Sequence, residues 1–225
     1  MTVRMKRVAV LSFLASVLLS PSEARAQEPP PKIGPFVVDF HASMPRFPSD
    51  VLLAESRDVM QVELPGRGLG IQLGVTVYPL HWRAVTFGVG GELATSRSRK
   101  TPVTPKTASG TTQASTLRAT EEKFTSLAPQ LSFNFGNGHG WSYISGGLAR
   151  STWSLVPADR LAFPSDAEKL KTINYGGGAR WFIKPHLAFS FDVRFYAINP
   201  GAPYLDLPGS PRTTLMLIGA GVSMK

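Results

Sequence analysis

The 225-residue sequence contains no cysteine. Disulfides, Cys-ligated zinc, iron–sulfur clusters, thiol catalysis and lipid attachment at an N-terminal Cys are therefore excluded. Charge is also sparse, at 17% of residues, and the mean hydropathy is zero. This balance is too apolar for a disordered chain and too mixed for a helical membrane protein. Because 21 Gly and 19 Pro are present, many turns and few long helices are expected.

The first 26 residues have the layout of an export signal. A basic start over 4–7 precedes an apolar segment over 8–19, and Ala24 and Ala26 supply the small residues that signal peptidase recognises. The apolar segment spans only about 18 Å as a helix, short of the roughly 30 Å hydrocarbon core. Cleavage is predicted to leave a chain that begins at Gln27; an uncleaved anchor helix is the alternative.

Export also decides which partners the positive charge can meet. Removing the signal takes away four Lys or Arg and one Glu, so the net charge falls from +9 to +6. Cytosolic partners are lost, and no nucleic-acid partner is expected. A short Pro-rich linker over 27–33 is predicted to lead into one domain over 34–225.

Alternation of apolar and polar residues recurs through this domain, which favours strands over helices. Most of the alternating segments have 10–13 residues, close to the 9–11 that a tilted transmembrane strand needs. Eight is an even count, as a closed membrane barrel requires. The predicted fold is all-β: an eight-stranded antiparallel up-and-down transmembrane β-barrel. The eight segments are 34–43, 68–79, 84–96, 123–135, 141–153, 172–183, 186–198 and 212–224.

The connections between these segments alternate in length. Those after the second, fourth and sixth segments are short, whereas the others cover 44–67, 97–122, 154–171 and 199–211. Short periplasmic turns and long extracellular loops are typical of outer-membrane barrels. The Ser/Thr-rich 97–122 loop is expected to lie outside the cell. The basic residues at its start, Arg97, Arg99 and Lys100, are candidates for contact with lipopolysaccharide phosphates; binding of a host or surface ligand by the loop is the alternative.

The seventh segment separates its two faces most clearly. In a membrane barrel the apolar face meets lipid and the polar face fills the lumen. The second and sixth segments follow the same pattern, while the fifth shows no clear phase. Alternation predicts a lumen ion network made of Asp39, Glu92, Arg180, Asp192 and Arg194. Within it, Arg180 and Asp192 are predicted to be cross-strand neighbours, and one of the arginines is expected to pair with Asp192 or Glu92. Aromatic residues near the short turns are predicted to form an interfacial girdle: Tyr78, Trp82, Trp141, Tyr143, Trp181 and Phe182.

The stretch 175–196, YGGGARWFIKPHLAFSFDVRFY, resembles the penultimate hairpin of the OmpA-like outer membrane protein beta-barrel domain. The resemblance covers about 34–225 and implies a small, porin-like barrel in the outer membrane of a Gram-negative-type envelope. Its expected partners are outer-membrane lipid, lipopolysaccharide and the barrel assembly machinery, and a monomer is expected. That machinery commonly recognises a C-terminal aromatic, whereas this chain ends in Met224 and Lys225.

Three functions are compatible with the sequence. The leading one is a non-enzymatic structural or surface-interaction role, because an eight-stranded barrel is just wide enough for side chains to fill. A narrow channel or small-ligand carrier is the first alternative, and a lipid-modifying enzyme built on His41 and Ser43 near the outer rim is the second. A soluble periplasmic barrel of lipocalin type is the structural rival. No catalytic, cofactor or metal site is predicted.

Overall fold

A computed structural model describes residues 31–101, 117–159, 163, 166–203 and 206–225. The predicted cleavage site at Ala24, Ala26 and Gln27 lies outside the described residues. Most of the Ser/Thr-rich part of the 97–122 loop lies outside them too. Within the described part of the chain, no helix is long and apolar enough to cross a membrane.

Eight antiparallel strands form one closed barrel, in which each strand pairs with its neighbours in sequence. The ring closes between the first and last strands, where Ala42 lies opposite Ala220. The predicted fold class is confirmed. The strands are β1 (Phe36–Arg46), β2 (Leu69–Trp82), β3 (Val85–Lys100), β4 (Thr120–Asn137), β5 (Gly140–Pro157), β6 (Ala167–Lys184), β7 (Leu187–Ile198) and β8 (Thr213–Met224).

Four strands are at least three residues longer than predicted. β3 has 16 residues, and β4, β5 and β6 have 18 each, whereas about 9–11 suffice to cross a membrane. Most of the added residues lie at the outer ends, where Thr120 still pairs with Pro157 and Ser154 with Ala167. Strand pairing thus extends the wall of the barrel above the membrane and shortens the loops that the sequence predicted.

The short turns all lie at the opposite rim. Two residues separate β2 from β3, β4 from β5 and β6 from β7, so the first two turns are tighter than predicted and the third has the predicted length. Gly136, just before the second of them, has φ +138°, and a Cβ there would lie 2.5 Å from the Gly140 carbonyl oxygen. Only glycine fits that position without moving the neighbouring strand.

The connection 44–67 contains helical structure that the sequence analysis did not predict. A short helix, α1 (Val51–Ser56), is followed by a 3₁₀ turn (Gln61–Glu63). The Asp50 carboxylate caps α1 by accepting a hydrogen bond from the Leu53 amide at 2.8 Å. With six residues, α1 is too short to show a 3.6-residue period in the sequence.

The barrel is apolar outside and polar inside. On β7, Phe189 and Phe191 are 48% and 39% exposed, whereas Ser190 and Tyr196 are fully buried. β2 and β6 alternate as predicted, and β5 follows with Tyr143 inward and neighbouring Ile144 outward. A soluble lipocalin-type barrel has the reverse arrangement. The barrel therefore has the surface of an outer-membrane protein, and the predicted location is confirmed.

Candidate functional site

The lumen is filled by three layers of side chains, which differ in chemistry. The layer nearest the short turns is aromatic: the Tyr78 ring meets the Trp141 ring edge-on at 6.0 Å, and Phe182 stacks on Trp141 at 5.0 Å. Ile33 and Val37 complete this cluster. The interfacial girdle predicted from the sequence is wrong for Tyr78, Trp141, Tyr143 and Phe182, whose side chains pack together inside the lumen. Trp82 and Trp181 do face outward, 60% and 54% exposed.

The second layer begins with an ion pair that crosses the lumen. Arg180 donates from Nε to Asp39 Oδ1 at 2.9 Å and from Nη2 to Oδ2 at 2.6 Å. Asp39 also accepts a hydrogen bond from the Ser223 hydroxyl. The Arg180 guanidinium lies 4.0 Å from the centre of the Tyr143 ring. These contacts compensate both charges and connect β1 to β6 through the interior.

Arg194 organises the rest of this layer by pairing with two carboxylates. Its Nη2 lies 2.9 Å from Asp192 Oδ2, and its Nε lies 3.1 Å from Glu92 Oε2. Each carboxylate also accepts a hydrogen bond at 2.6 Å from a tyrosine, Asp192 from the Tyr143 hydroxyl and Glu92 from the Tyr196 hydroxyl. Tyr143 belongs to the aromatic layer as well, so it connects that layer to the ion-paired layer.

All five residues of the proposed network lie buried on the inward face. The specific pair predicted between Arg180 and Asp192 does not form. The register places Ser190 opposite Arg180 and Gly178 opposite Asp192, so the two charged residues are offset by two positions along the strands. The expected pairing of an arginine with Asp192 or Glu92 is made by Arg194.

His41 and Ser43 lie on the inward face of β1, but they do not bond to each other. His41 Nε2 lies 2.7 Å from the Ser190 hydroxyl. Ser43 Oγ is buried and has no hydrogen-bond partner among the described residues. His41 pairs in register with Gln72 and Gly221, at mid-barrel and not near the outer rim. The cavity beside His41 measures only ≈ 20 Å³, space for about one water molecule.

The third layer, nearest the outer mouth, is apolar. Trp153, Phe124 and Tyr196 are at most 1% exposed, and Leu53 and Ala54 of α1 pack into the same cluster. Burial of apolar surface stabilises a protein by roughly 25 cal/mol per Å². The packing of Leu53 and Ala54 therefore holds α1 against the outer mouth. In the sequence, the start of α1 is indicated by Asp50, a favoured N-cap residue, before the apolar stretch Val51-Leu52-Leu53-Ala54.

Charged groups fasten the end of α1 to the wall. Arg57 Nη2 lies 2.8 Å from Glu168 Oε2, and the guanidinium lies 5.5 Å from the centre of the Trp153 ring. Burial lowers the pKa of Arg57, while the nearby carboxylates of Glu168 and Glu122 oppose that effect. Trp153 Nε1 donates to the buried Glu122 at 2.7 Å. These residues were missed because their partners come from distant strands.

The arrangement offers no metal centre in the described part of the chain, since no three of its His, Asp or Glu residues lie close enough to hold an ion. The charged side chains of the ion-paired layer bind one another. A cleft of ≈ 560 Å³ is open at the outer mouth, bordered by Arg57, Arg118 and Glu168.

No family model and no curated protein sequence matches the chain. Among solved structures, the chain is similar to Neisserial surface protein A, with 14% identity, a TM-score of 0.52 and coverage of 84% of this chain and 96% of that one. Ail of Yersinia pestis (15%, 0.46, 85% and 99%) and OprG of Pseudomonas aeruginosa (13%, 0.46, 87% and 98%) also match. The likeness to the Neisserial protein confirms the fold of the small eight-stranded outer-membrane barrels.

Proposed function

We propose that this outer-membrane barrel is a closed, non-enzymatic protein with a structural or surface-interaction role. The observation that carries the proposal is the filled lumen. An aromatic layer, an ion-paired layer and an apolar layer follow one another from the short turns to the outer mouth. A solute would have to displace all three.

The channel alternative is disfavoured by the ion-paired layer. An ion passing through must separate Arg180 from Asp39, or Arg194 from Asp192 and Glu92. Breaking a buried pair by removing one partner costs about 3–5 kcal/mol. The small-ligand carrier is disfavoured too, because the cavity in this layer measures only ≈ 20 Å³.

The enzyme alternative is disfavoured by access and by geometry. A lipid substrate would have to reach His41 and Ser43 through the filled lumen, and His41 bonds to Ser190 instead of Ser43. The cleft at the outer mouth, by contrast, opens to the exterior. It supports interaction at the surface, where a partner meets the barrel without entering it.

Conductance in planar bilayers tests the proposal. We expect the folded mature chain to insert without producing stepwise currents in concentrated KCl. A variant in which a Gly/Ser linker replaces 49–64 lacks α1 and its contribution to the apolar layer but keeps the ion-paired layer. This variant is also expected to stay silent. Regular current steps from the native chain, with folding verified by heat-modifiable gel mobility, would overturn the closed-barrel proposal.

A further inference from the structure

Positive charge gathers on the outward face of the barrel wall, just above the apolar belt. Among the described residues of β3 to β6, Glu121 is the one carboxylate on that face. Six basic side chains share the face: Arg97, Arg99, Lys123, Arg150, Lys169 and Lys171, all exposed. We define the basic patch as the four members on β4 to β6: Lys123, Arg150, Lys169 and Lys171.

The register brings like charges together within this patch. Arg150 lies directly opposite Lys171, and Thr152 lies opposite Lys169 on the same face. Like charges in directly opposed positions destabilise a sheet. Glu121 pairs with Arg97. None of the ion pairs formed by the described residues includes a member of the basic patch. The patch is therefore suited to an external anion.

Below the patch, strands β4 to β7 form an apolar groove of ≈ 600 Å³ on the outside of the barrel. Gly146 and Gly177 lie at its floor, and taller side chains rise around them. The outer groove is bordered by Leu131, Phe133, Ile144, Tyr175, Val193 and Phe195. Arg150 comes four residues after Gly146 on β5, which is about 13 Å along the strand. The basic patch thus lies directly above the apolar outer groove.

We propose that the basic patch and the outer groove together bind lipopolysaccharide. Its phosphates would contact Arg150 and Lys171, with Lys123 and Lys169 beside them, and one acyl chain would lie in the groove. The inference rests on the proposed role as a surface-interaction barrel and names one partner of its outward face. Arginine suits phosphate through paired N–H donors.

Two features favour a lipid over a protein partner. The groove is continuous with the lipid-facing belt. Arg150 lies opposite Lys171, and the next outward pair toward the membrane, two residues along each strand, is the apolar pair Leu148 and Ile173. The patch also stands at the boundary where charged head groups begin. Basic residues at such a surface attract anionic lipid, each by about 1 kcal/mol.

Binding of rough-type lipopolysaccharide to the delipidated, folded barrel in detergent tests the inference. The Arg150→Gln/Lys171→Gln variant is expected to bind about 25-fold more weakly, about fivefold for each lost charge. The matched control is Lys32→Gln/Lys184→Gln, which removes two exposed cations at the short-turn rim and should bind like the native chain. Val193→Trp, which fills the groove from β7, is expected to weaken binding as well.

Two further measurements use the native chain and do not depend on any variant folding. Dephosphorylated lipopolysaccharide is expected to bind at least tenfold more weakly than the intact form, and phosphatidylglycerol micelles are expected to compete poorly. Equal binding by the Arg150/Lys171 variant, or by the dephosphorylated lipid, would overturn the site. Equal competition by phosphatidylglycerol would overturn the assignment to lipopolysaccharide. Since conductance is measured separately, failure here is distinguishable from failure of the closed-barrel proposal.

Discussion

Arg194→Ala is expected to destabilise the barrel by about 3–5 kcal/mol, because it leaves two buried carboxylates without their shared cation. Asp192 and Glu92 both pair with Arg194, and both are at most 7% exposed. Their remaining hydrogen bonds from Tyr143 and Tyr196 do not supply positive charge. Urea unfolding in detergent micelles, followed by the heat-modifiable gel band, measures the loss.

The control is Arg150→Ala, which removes an exposed arginine from the outward face. Its effect on unfolding in micelles should be small. Arg194→Lys keeps the charge but cannot reproduce the geometry of the guanidinium contacts, so an intermediate loss is expected. If Arg194→Ala unfolds at the same urea concentration as the native chain, the two carboxylates do not depend on Arg194.

Replacing both partners of the other ion pair is expected to cost less than replacing either one. Asp39→Leu leaves the Arg180 guanidinium buried without its carboxylate, and Arg180→Leu leaves the reverse. Each single change is expected to cost about 3–5 kcal/mol, whereas apolar replacement of a whole buried pair is often neutral or stabilising. A double-mutant cycle, measured by urea unfolding, is therefore expected to show strong coupling between the two positions.

The exposed pair Arg97 and Glu121 provides a matched control, since both lie on the outward face of neighbouring strands. Leucine at both of these positions is expected to show little coupling, because surface pairs contribute little. Additive effects of Asp39→Leu and Arg180→Leu would contradict the view that this pair acts as a unit inside the lumen.

The features that depend on strand periodicity were predictable from sequence. A strand turns successive side chains to opposite faces, so Phe191 outward implies Asp192 inward whatever the rest of the fold does. The same rule brought Asp39 and Arg180 to the lumen. The number of strands and the positions of the short turns followed from segment length and spacing.

The features that depend on register and on distant contacts were not predictable. The pairing between β6 and β7 puts Ser190 opposite Arg180, two residues from Asp192, and the residue pattern around the turn does not encode this register. α1 closes the mouth through Leu53, whose partners lie on strands far along the chain. The alternation of β2 already puts Tyr78 on the inward face with Gln72; its assignment to the girdle rested on its nearness to a short turn and was wrong.

Photolabelling from within a bilayer tests most directly the claim that lipid surrounds the outside of this barrel and its charges fill the inside. A phospholipid carrying a carbene precursor in its acyl chain labels the side chains that it touches, and mass spectrometry locates them along β7. The account predicts label on Phe189, Phe191 and Phe195, with none on Ser190 or Asp192. Label on Ser190 and Asp192, or equal label at successive residues, would contradict it.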